Sequence, residues 1–139
     1  MNQDELKQRT KQFALRVIHL VESLPKTSSS RAIGSQLLRS GTSVYANYRA
    51  RSRAEFIDKM EIVAEESDES AGWIELPCES GLVSHARVSD LMDECNQLTS
   101  IAVSSIKTAR KNLTKPRRPR ASQSTFRTPP SAMRRPPPR

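Results

Sequence analysis

The 139-residue sequence predicts an all-α protein folded as a compact helical bundle. Three observations support this fold class. Apolar residues recur at steps of three and four through four successive segments, which is the period of one helix face. Prolines and short polar stretches separate those segments. In the second segment, the glycine at position 41 lowers helix stability by about 1 kcal/mol relative to alanine. Close packing against another helix would offset that loss. The small residues around Gly41 therefore indicate a packed core rather than an active site.

The first two helices have recognisable stop and start signals. The first is predicted from Gln3 to Leu24 and ends there because Pro25 cannot continue a helix. A polar loop over residues 26–30 offers serine N-caps for a second helix over residues 31–49. The inward residues of the first helix are Leu6, Phe13, Val17, Leu20, Val21 and Leu24. Those of the second helix are Ile33, Leu37, Gly41, Val44 and Tyr48.

The third and fourth helices follow the same apolar pattern. Residues 52–55 have the spacing of a capping box, which predicts a third helix that begins there and ends near Pro77. A fourth helix is predicted from Ser84 or Ser89 to Asn112. The inward residues of the third helix are Phe56, Met60, Val63, Ser67, Ala71 and Ile74. Those of the fourth are Val88, Leu91, Met92, Cys95, Leu98, Ala102, Ile106 and Ala109.

The excess positive charge is confined to the C-terminal segment. The chain has 23 basic and 15 acidic residues, and eight of the basic residues but none of the acidic ones fall within residues 114–139. Residues 1–113 are therefore formally neutral. Seven of the nine prolines also lie beyond residue 115. This composition predicts one helical domain over residues 1–113, followed by a disordered, basic, Pro/Arg-rich tail over residues 114–139.

Several function classes find no support in the residues. The first segment is polar, and no apolar run approaches the roughly 20 residues of a membrane span, so we expect a cytoplasmic protein without membrane contacts. Cys78 and Cys95 lack the spacing of a metal site. His19 and His85 have no nucleophile or ligand set beside them, and no phosphate-binding glycine loop occurs. We therefore expect no enzyme, no metal and no cofactor.

Arginines of the second helix share its outer face. At 100° per residue, Arg31 and Arg49 point the same way and Arg39 lies about 80° from them, away from the apolar stripe. Such a strip is either a solvated face or a phosphate-binding surface, because guanidinium groups bind phosphate oxygens without needing a pocket. The second interpretation predicts a nucleic-acid site formed by Arg31, Arg39, Arg49, Arg51, Arg53, Lys107, Arg110, Lys111, Arg117, Arg118 and Arg120.

The third helix carries carboxylates on the side away from its core stripe. These residues lack histidine partners, so a solvated or partner-facing surface is favoured over a di-metal site. Trp73 lies about 100° from the centre of the core stripe, where a large residue is either at the core edge or in a subunit interface. Basic and acidic strips on one neutral body also suggest subunits that pair side by side. The predicted oligomer interface is Trp73, Glu65 and Glu69.

Four stretches, taken in order, resemble one known family: QLLRSGTSVYANY at residues 36–48, RSRAEFI at 51–57, EESDES and WIEL within 65–76, and SIKTARKN at 105–112. They are similar to the four-helix-bundle proteins encoded in 23S rRNA intervening sequences, which are related to the accessory variability determinant proteins of diversity-generating retroelements. The resemblance implies an antiparallel up-down-up-down bundle, a homopentameric ring and a basic surface for nucleic acid. In the retroelement relatives, the implied partners are a reverse transcriptase and its RNA.

Two departures from the family pattern affect the predicted geometry. About one helical turn of the family pattern is absent between residues 46–49 and 51–56, which predicts a tight hairpin or an earlier end of the second helix. Pro77 stands where the family usually has leucine, which predicts a shorter or kinked third helix.

The sequence thus predicts a non-enzymatic, homo-oligomeric nucleic-acid-binding protein. RNA is the expected ligand, and a reverse-transcriptase complex is one context in which it would be bound. The alternative is a protein-interaction scaffold without direct nucleic-acid contact, whose basic strip only maintains solubility or meets acidic protein.

Overall fold

The structure, a computed structural model, describes residues 1–114, which form four α-helices and no strand. Helix α1 spans Gln3–Ser23, α2 spans Ser28–Ala50, α3 spans Phe56–Glu79 and α4 spans His85–Thr114. Each helix packs against the next along the chain, and all four contribute to one apolar core. The prediction of an all-α fold with four helices is therefore confirmed.

Side chains cap the first two helices. The Asn2 Oδ1 atom accepts from the backbone amide of Glu5 at 2.8 Å, and the backbone amide of Asn2 donates to Glu5 Oε1 at 2.9 Å. Helix α1 therefore begins with a reciprocal capping box. At the start of α2, Thr27 Oγ1 accepts from the Ser30 amide at 3.2 Å. The predicted start of this helix at residue 31 is three residues late, because Thr27 supplies the N-cap.

Helices α1 and α2 pack closely through small residues. A Cβ atom at Gly41 would lie 2.8 Å from both Val17 Cγ atoms, and one at Gly34 would lie 3.2 Å from Val21 Cγ1. The Tyr48 hydroxyl donates to the Gln3 carbonyl at 3.3 Å at the other end of the pair. The sequence positions of these contacts run in opposite directions, so α1 and α2 are antiparallel. The close approach predicted from Gly41 is present in the structure.

The third helix begins later than predicted, and its predicted end near Pro77 is two residues early, because the helix ends at Glu79. Ser52 Oγ accepts from the Glu55 amide at 3.2 Å, but this half of a capping box closes a turn that precedes the helix, and α3 begins at Phe56. At the other end, Pro77 lies inside the helix and is buried. The helix continues past it because the Ser80 amide still donates to the Leu76 carbonyl at 2.9 Å.

The short connection between α2 and α3 also differs from one expectation. Helix α2 reaches Ala50, so it does not end early, and residues 51–55 alone connect the two helices. The hydroxyl oxygens of Ser40 and Ser70 are both buried and lie 2.9 Å apart, which requires close approach of α2 and α3. Of the two expectations, a tight hairpin or an earlier end of the second helix, the structure supports the tight hairpin.

Helix α4 is joined to α1 by polar contacts. Arg9 Nε donates to Glu94 Oε2 at 2.7 Å, and its second guanidinium nitrogen donates to Glu94 Oε1 at 2.8 Å and to Gln97 Oε1 at 2.5 Å. These two helices otherwise make few close contacts. The bidentate ion pair therefore links the first and last helices of the bundle.

The two cysteines are expected to differ in reactivity. Cys95 is fully buried, and this burial raises the pKa of its thiol to about 12. The reactive thiolate therefore forms only as the pH rises toward that value, whereas Cys78 is half-buried. At pH 8, mass spectrometry after iodoacetamide treatment should show the label on Cys78 and little on Cys95. Equal labelling rates in the folded protein would contradict this assignment, and both thiols should react in denaturant.

Candidate nucleic-acid interface

The structure brings most of the predicted basic residues to one end of the bundle. The end of α2, the residue 51–55 connection, the start of α3 and the end of α4 meet there. Arg53 lines a cavity with Phe56, Ala109 and Leu113, and an adjoining cavity includes Gln3 at the start of α1. We call this region the loop end. Its predicted binding residues are Arg49, Arg51, Arg53, Lys107, Arg110 and Lys111.

Arg31 does not belong to this group. It lies in the first turn of α2, and Arg49 lies in the last turn. A rise of 1.5 Å per residue puts the two about 27 Å apart along the helix. Arg31 is therefore near the opposite end of the bundle. Their shared helical face does not bring them to one compact site.

Tyrosines position two arginines of the loop end. The Arg51 guanidinium carbon lies 3.8 Å from the centre of the Tyr48 ring, and one of its nitrogens donates to the Tyr48 carbonyl at 2.7 Å. Arg49 donates to the Tyr45 hydroxyl at 2.8 Å. These contacts use few of the five donors of each guanidinium group. The remaining donors stay available to a phosphate.

The other basic residues at the loop end differ in their pairing. Arg110 donates to Glu61 Oε2 at 2.5 Å and forms an ion pair between α4 and α3. Arg53, Lys107 and Lys111 are exposed and form no ion pair with any residue in the range 1–114. Five carboxylates also lie at this end of the bundle and moderate its positive charge. They are Asp4, Glu5, Glu55, Asp58 and Glu61.

Arg39 is engaged within the chain. Its guanidinium group donates to Glu66 Oε2 at 3.1 Å and also binds Glu69, so it joins α2 to α3. The pKa of Arg39 is raised above its usual value, and the hydrogen bond to Glu66 makes the largest contribution. A phosphate at this position would compete with two carboxylates. The basic strip predicted along α2 is therefore interrupted at its centre.

The predicted oligomer interface forms a surface patch on α3. Trp73 is half-buried, and its indole nitrogen donates to Glu69 Oε2 at 3.4 Å, while Glu65 is exposed. Leu76, three residues beyond Trp73, has 50% of its surface exposed and extends the apolar part of the patch. Sequence reasoning missed Leu76 because it lies off the core stripe. The signal that could have found Leu76 was its three-residue spacing from Trp73, which makes the two side chains neighbours on the helix surface.

Phe56 is the second residue that the sequence did not assign to a site. It was predicted as a core residue, and its ring does pack against the core edge. It also lines three adjoining cavities at the loop end, including one of about 580 Å³ along α4. No local pattern could indicate this, because residues some 50 positions later form the far wall.

Some predictions concern residues outside the described part of the chain. The tail predicted from residue 114 begins at the last described residue of α4, and Arg117, Arg118 and Arg120 lie beyond it. Across residues 1–114, no group of three His, Cys, Asp or Glu side chains could hold a metal ion. No helix in the same range has the length and apolar character of a membrane span.

Comparison with known proteins identifies the family. The family model for the 23S rRNA-intervening sequence protein matches residues 2–104, which is most of the chain. The chain belongs to the 23S rRNA-intervening sequence protein family. A similar solved structure is a protein with unknown function from the S23 ribosomal protein family of Bacteroides thetaiotaomicron, with 30% identity, a TM-score of 0.69, and coverage of 77% of this chain and 99% of that chain. A search of curated proteins gives no match.

The family match divides the candidate site into two parts. Arg49, Arg51 and Arg53 lie inside the matched range, and so does Phe56. Lys107, Arg110 and Lys111 lie beyond residue 104, in the last turns of α4. The loop end therefore combines residues of the family region with basic residues of the segment that follows it.

Proposed function

We propose that this protein is a non-enzymatic homo-oligomer that binds RNA through the loop end of its bundle. One observation carries the proposal: separate chain segments bring six basic side chains to one end of a body that is formally neutral as a whole. Eight further basic residues follow in the sequence, beginning at Lys115, directly after the last residue of α4. Structured RNA is the proposed ligand, because its backbone offers the phosphate groups that such a surface binds.

Binding at this surface would be mainly electrostatic. Each phosphate contact releases condensed counterions, so the logarithm of the binding constant falls with the logarithm of salt concentration, by roughly 0.9 per contact on duplex and 0.7 on single strands. Arg53, Lys107 and Lys111 are the strongest body candidates, because no carboxylate of residues 1–114 forms an ion pair with them. Arg39 is a weaker candidate, since two carboxylates already bind it.

Two charge-matched triple variants of the full chain test this surface. The first, Arg53→Gln with Lys107→Gln and Lys111→Gln, removes exposed charge at the loop end. The second removes three exposed charges from the opposite end, at Lys26, Arg31 and Arg87. Anisotropy titration of a structured RNA should show that the first variant binds more weakly at all salt concentrations, with a salt slope reduced by about two to three.

The control variant locates the site. We expect it to bind nearly as the parent protein does, because its charges lie near the start of α2 and α4. Equal loss in both variants would place the binding surface elsewhere or spread it over the whole body. Affinity that barely changes with salt in the parent protein would reject the electrostatic mechanism.

The finer parts of the proposal rest on the family resemblance. A homopentameric ring and a place in a reverse-transcriptase complex are both proposed on that ground. The alternative is a protein-interaction scaffold, in which the loop end contacts an acidic protein or only solvent. Absence of RNA binding by the full chain at low salt would favour the scaffold.

A further inference from the structure

Phe56 lies where three cavities adjoin at the loop end. The first, of about 580 Å³, is bounded by the hydroxyl, amide and small apolar side chains of α4. The second, of about 440 Å³, includes Arg53 and Leu113, and the third, of about 300 Å³, includes Arg51 and Arg53. Phe56 thus lines both the recess along α4 and the cavities that include two arginines.

We propose that this junction binds one unpaired RNA nucleotide, with the base stacked on Phe56 and the adjacent phosphate bound by Arg53. The proposal rests on the RNA-binding function proposed above and narrows it to single-stranded or looped RNA. Recognition of RNA commonly uses unstacked bases on aromatic rings, because bases inside a duplex are not accessible to side chains.

The α4 wall suits a nucleobase. Ile101 and Ala109 give it apolar surface, and Ser104, Thr108 and Asn112 add polar groups along the same face. Hydroxyl and amide side chains can both donate and accept hydrogen bonds, as the edge of a base requires. The recess is open to solvent along α4, so a base could enter without a change of the bundle.

The arginine side suits a phosphate. The Tyr48 ring and carbonyl hold Arg51 in place, so its guanidinium group loses little freedom on binding. Arg53 is exposed and forms no ion pair within residues 1–114. Asp58 is the one carboxylate that lines these three cavities, beside Arg53 in the second. The two arginines outnumber it, which favours an anion beside the ring.

The test uses the full chain and Phe56 variants. A single-stranded oligonucleotide with one 2-aminopurine, and a duplex of the same length, serve as probes. Stacking should quench the 2-aminopurine fluorescence on binding. Phe56→Leu should abolish that quenching and weaken single-strand binding by about tenfold, while duplex binding and the salt slopes stay unchanged. Phe56→Tyr keeps an aromatic ring and should retain both properties.

Each other outcome rejects the nucleotide site. Quenching that persists in Phe56→Leu would show that the ring is not the stacking surface, and equal losses for single strand and duplex would mean that Phe56 only maintains the fold, which circular dichroism checks. A change in mass by light scattering without RNA would assign the recess to a second copy of the chain. Salt-dependent RNA binding without quenching in the parent protein would remove the nucleotide site yet leave the proposed RNA binding intact.

Discussion

Replacement of Gly41 by leucine is expected to lower the free energy of unfolding by about 3 kcal/mol. A Cβ atom at this position would lie 2.8 Å from both methyl groups of Val17, closer than carbon atoms approach without a shift. Val17 is fully buried and β-branched, so its methyl groups have little freedom to move away. Helices α1 and α2 would have to separate. The gain in helix propensity, about 1 kcal/mol, does not offset that loss.

Gly72 offers a matched control in the same fold. It is exposed within α3, and a Cβ atom there would meet no heavy atom within 4 Å apart from its chain neighbours and the nearby backbone of its own helix. Gly72→Ala should therefore raise stability by up to about 1 kcal/mol. Urea unfolding at fixed protein concentration measures both variants. Wild-type stability of Gly41→Leu would contradict the close packing, and Val17→Ala should partly rescue a smaller substitution, Gly41→Ala.

Replacement of Trp73 by alanine is expected to dissociate the proposed oligomer while the helix content is retained. Trp73 is half-buried, and with the half-exposed Leu76 it forms an apolar patch beside Glu65 and Glu69. A patch of this kind, with a large aromatic residue at its centre, is typical of a protein interface. Loss of the indole removes the largest apolar surface there, so the subunits should separate.

Light scattering of the wild-type protein and of the Trp73→Ala variant measures the mass in solution, which falls if the oligomer dissociates. Leu15→Ala is the control, because Leu15 is an exposed apolar residue on α1, 39% exposed, away from the patch. It should leave the mass unchanged. An unchanged mass for Trp73→Ala would remove Trp73 from the interface, and a loss of helix content by circular dichroism would show that the indole instead supports the single subunit.

Much of the fold was predictable because helical periodicity is a local property. The core residues Phe13, Val17 and Leu20 of α1 were all predicted as inward-facing and are buried. The helix ends were less predictable. Pro77 was expected to stop α3, but its ring is buried inside the helix, and the helix continues because the Ser80 amide, beyond the proline, donates to the Leu76 carbonyl.

The candidate site was predictable only in its residue types. The arginines of α2 were correctly placed outside the core, yet Arg39 binds carboxylates about 30 residues away and Arg31 lies at the other end of the bundle. A helical wheel reports the angular position of each residue around its own axis. It gives no information about which neighbouring helix packs beside a residue, or about which residues of the two helices lie at the same level along their axes.

The sequence by itself determined the four helices, their inward faces, the small-residue seam at Gly41 and the family to which the chain belongs. Only the tertiary structure decided that Arg53 and the end of α4 line one cavity, that Arg39 is ion-paired, and that Phe56 faces an open recess. The physical reason is the separation along the chain over which each effect acts. Periodicity and capping act within a few residues, whereas surface clusters depend on how separate helices are packed and offset along their axes.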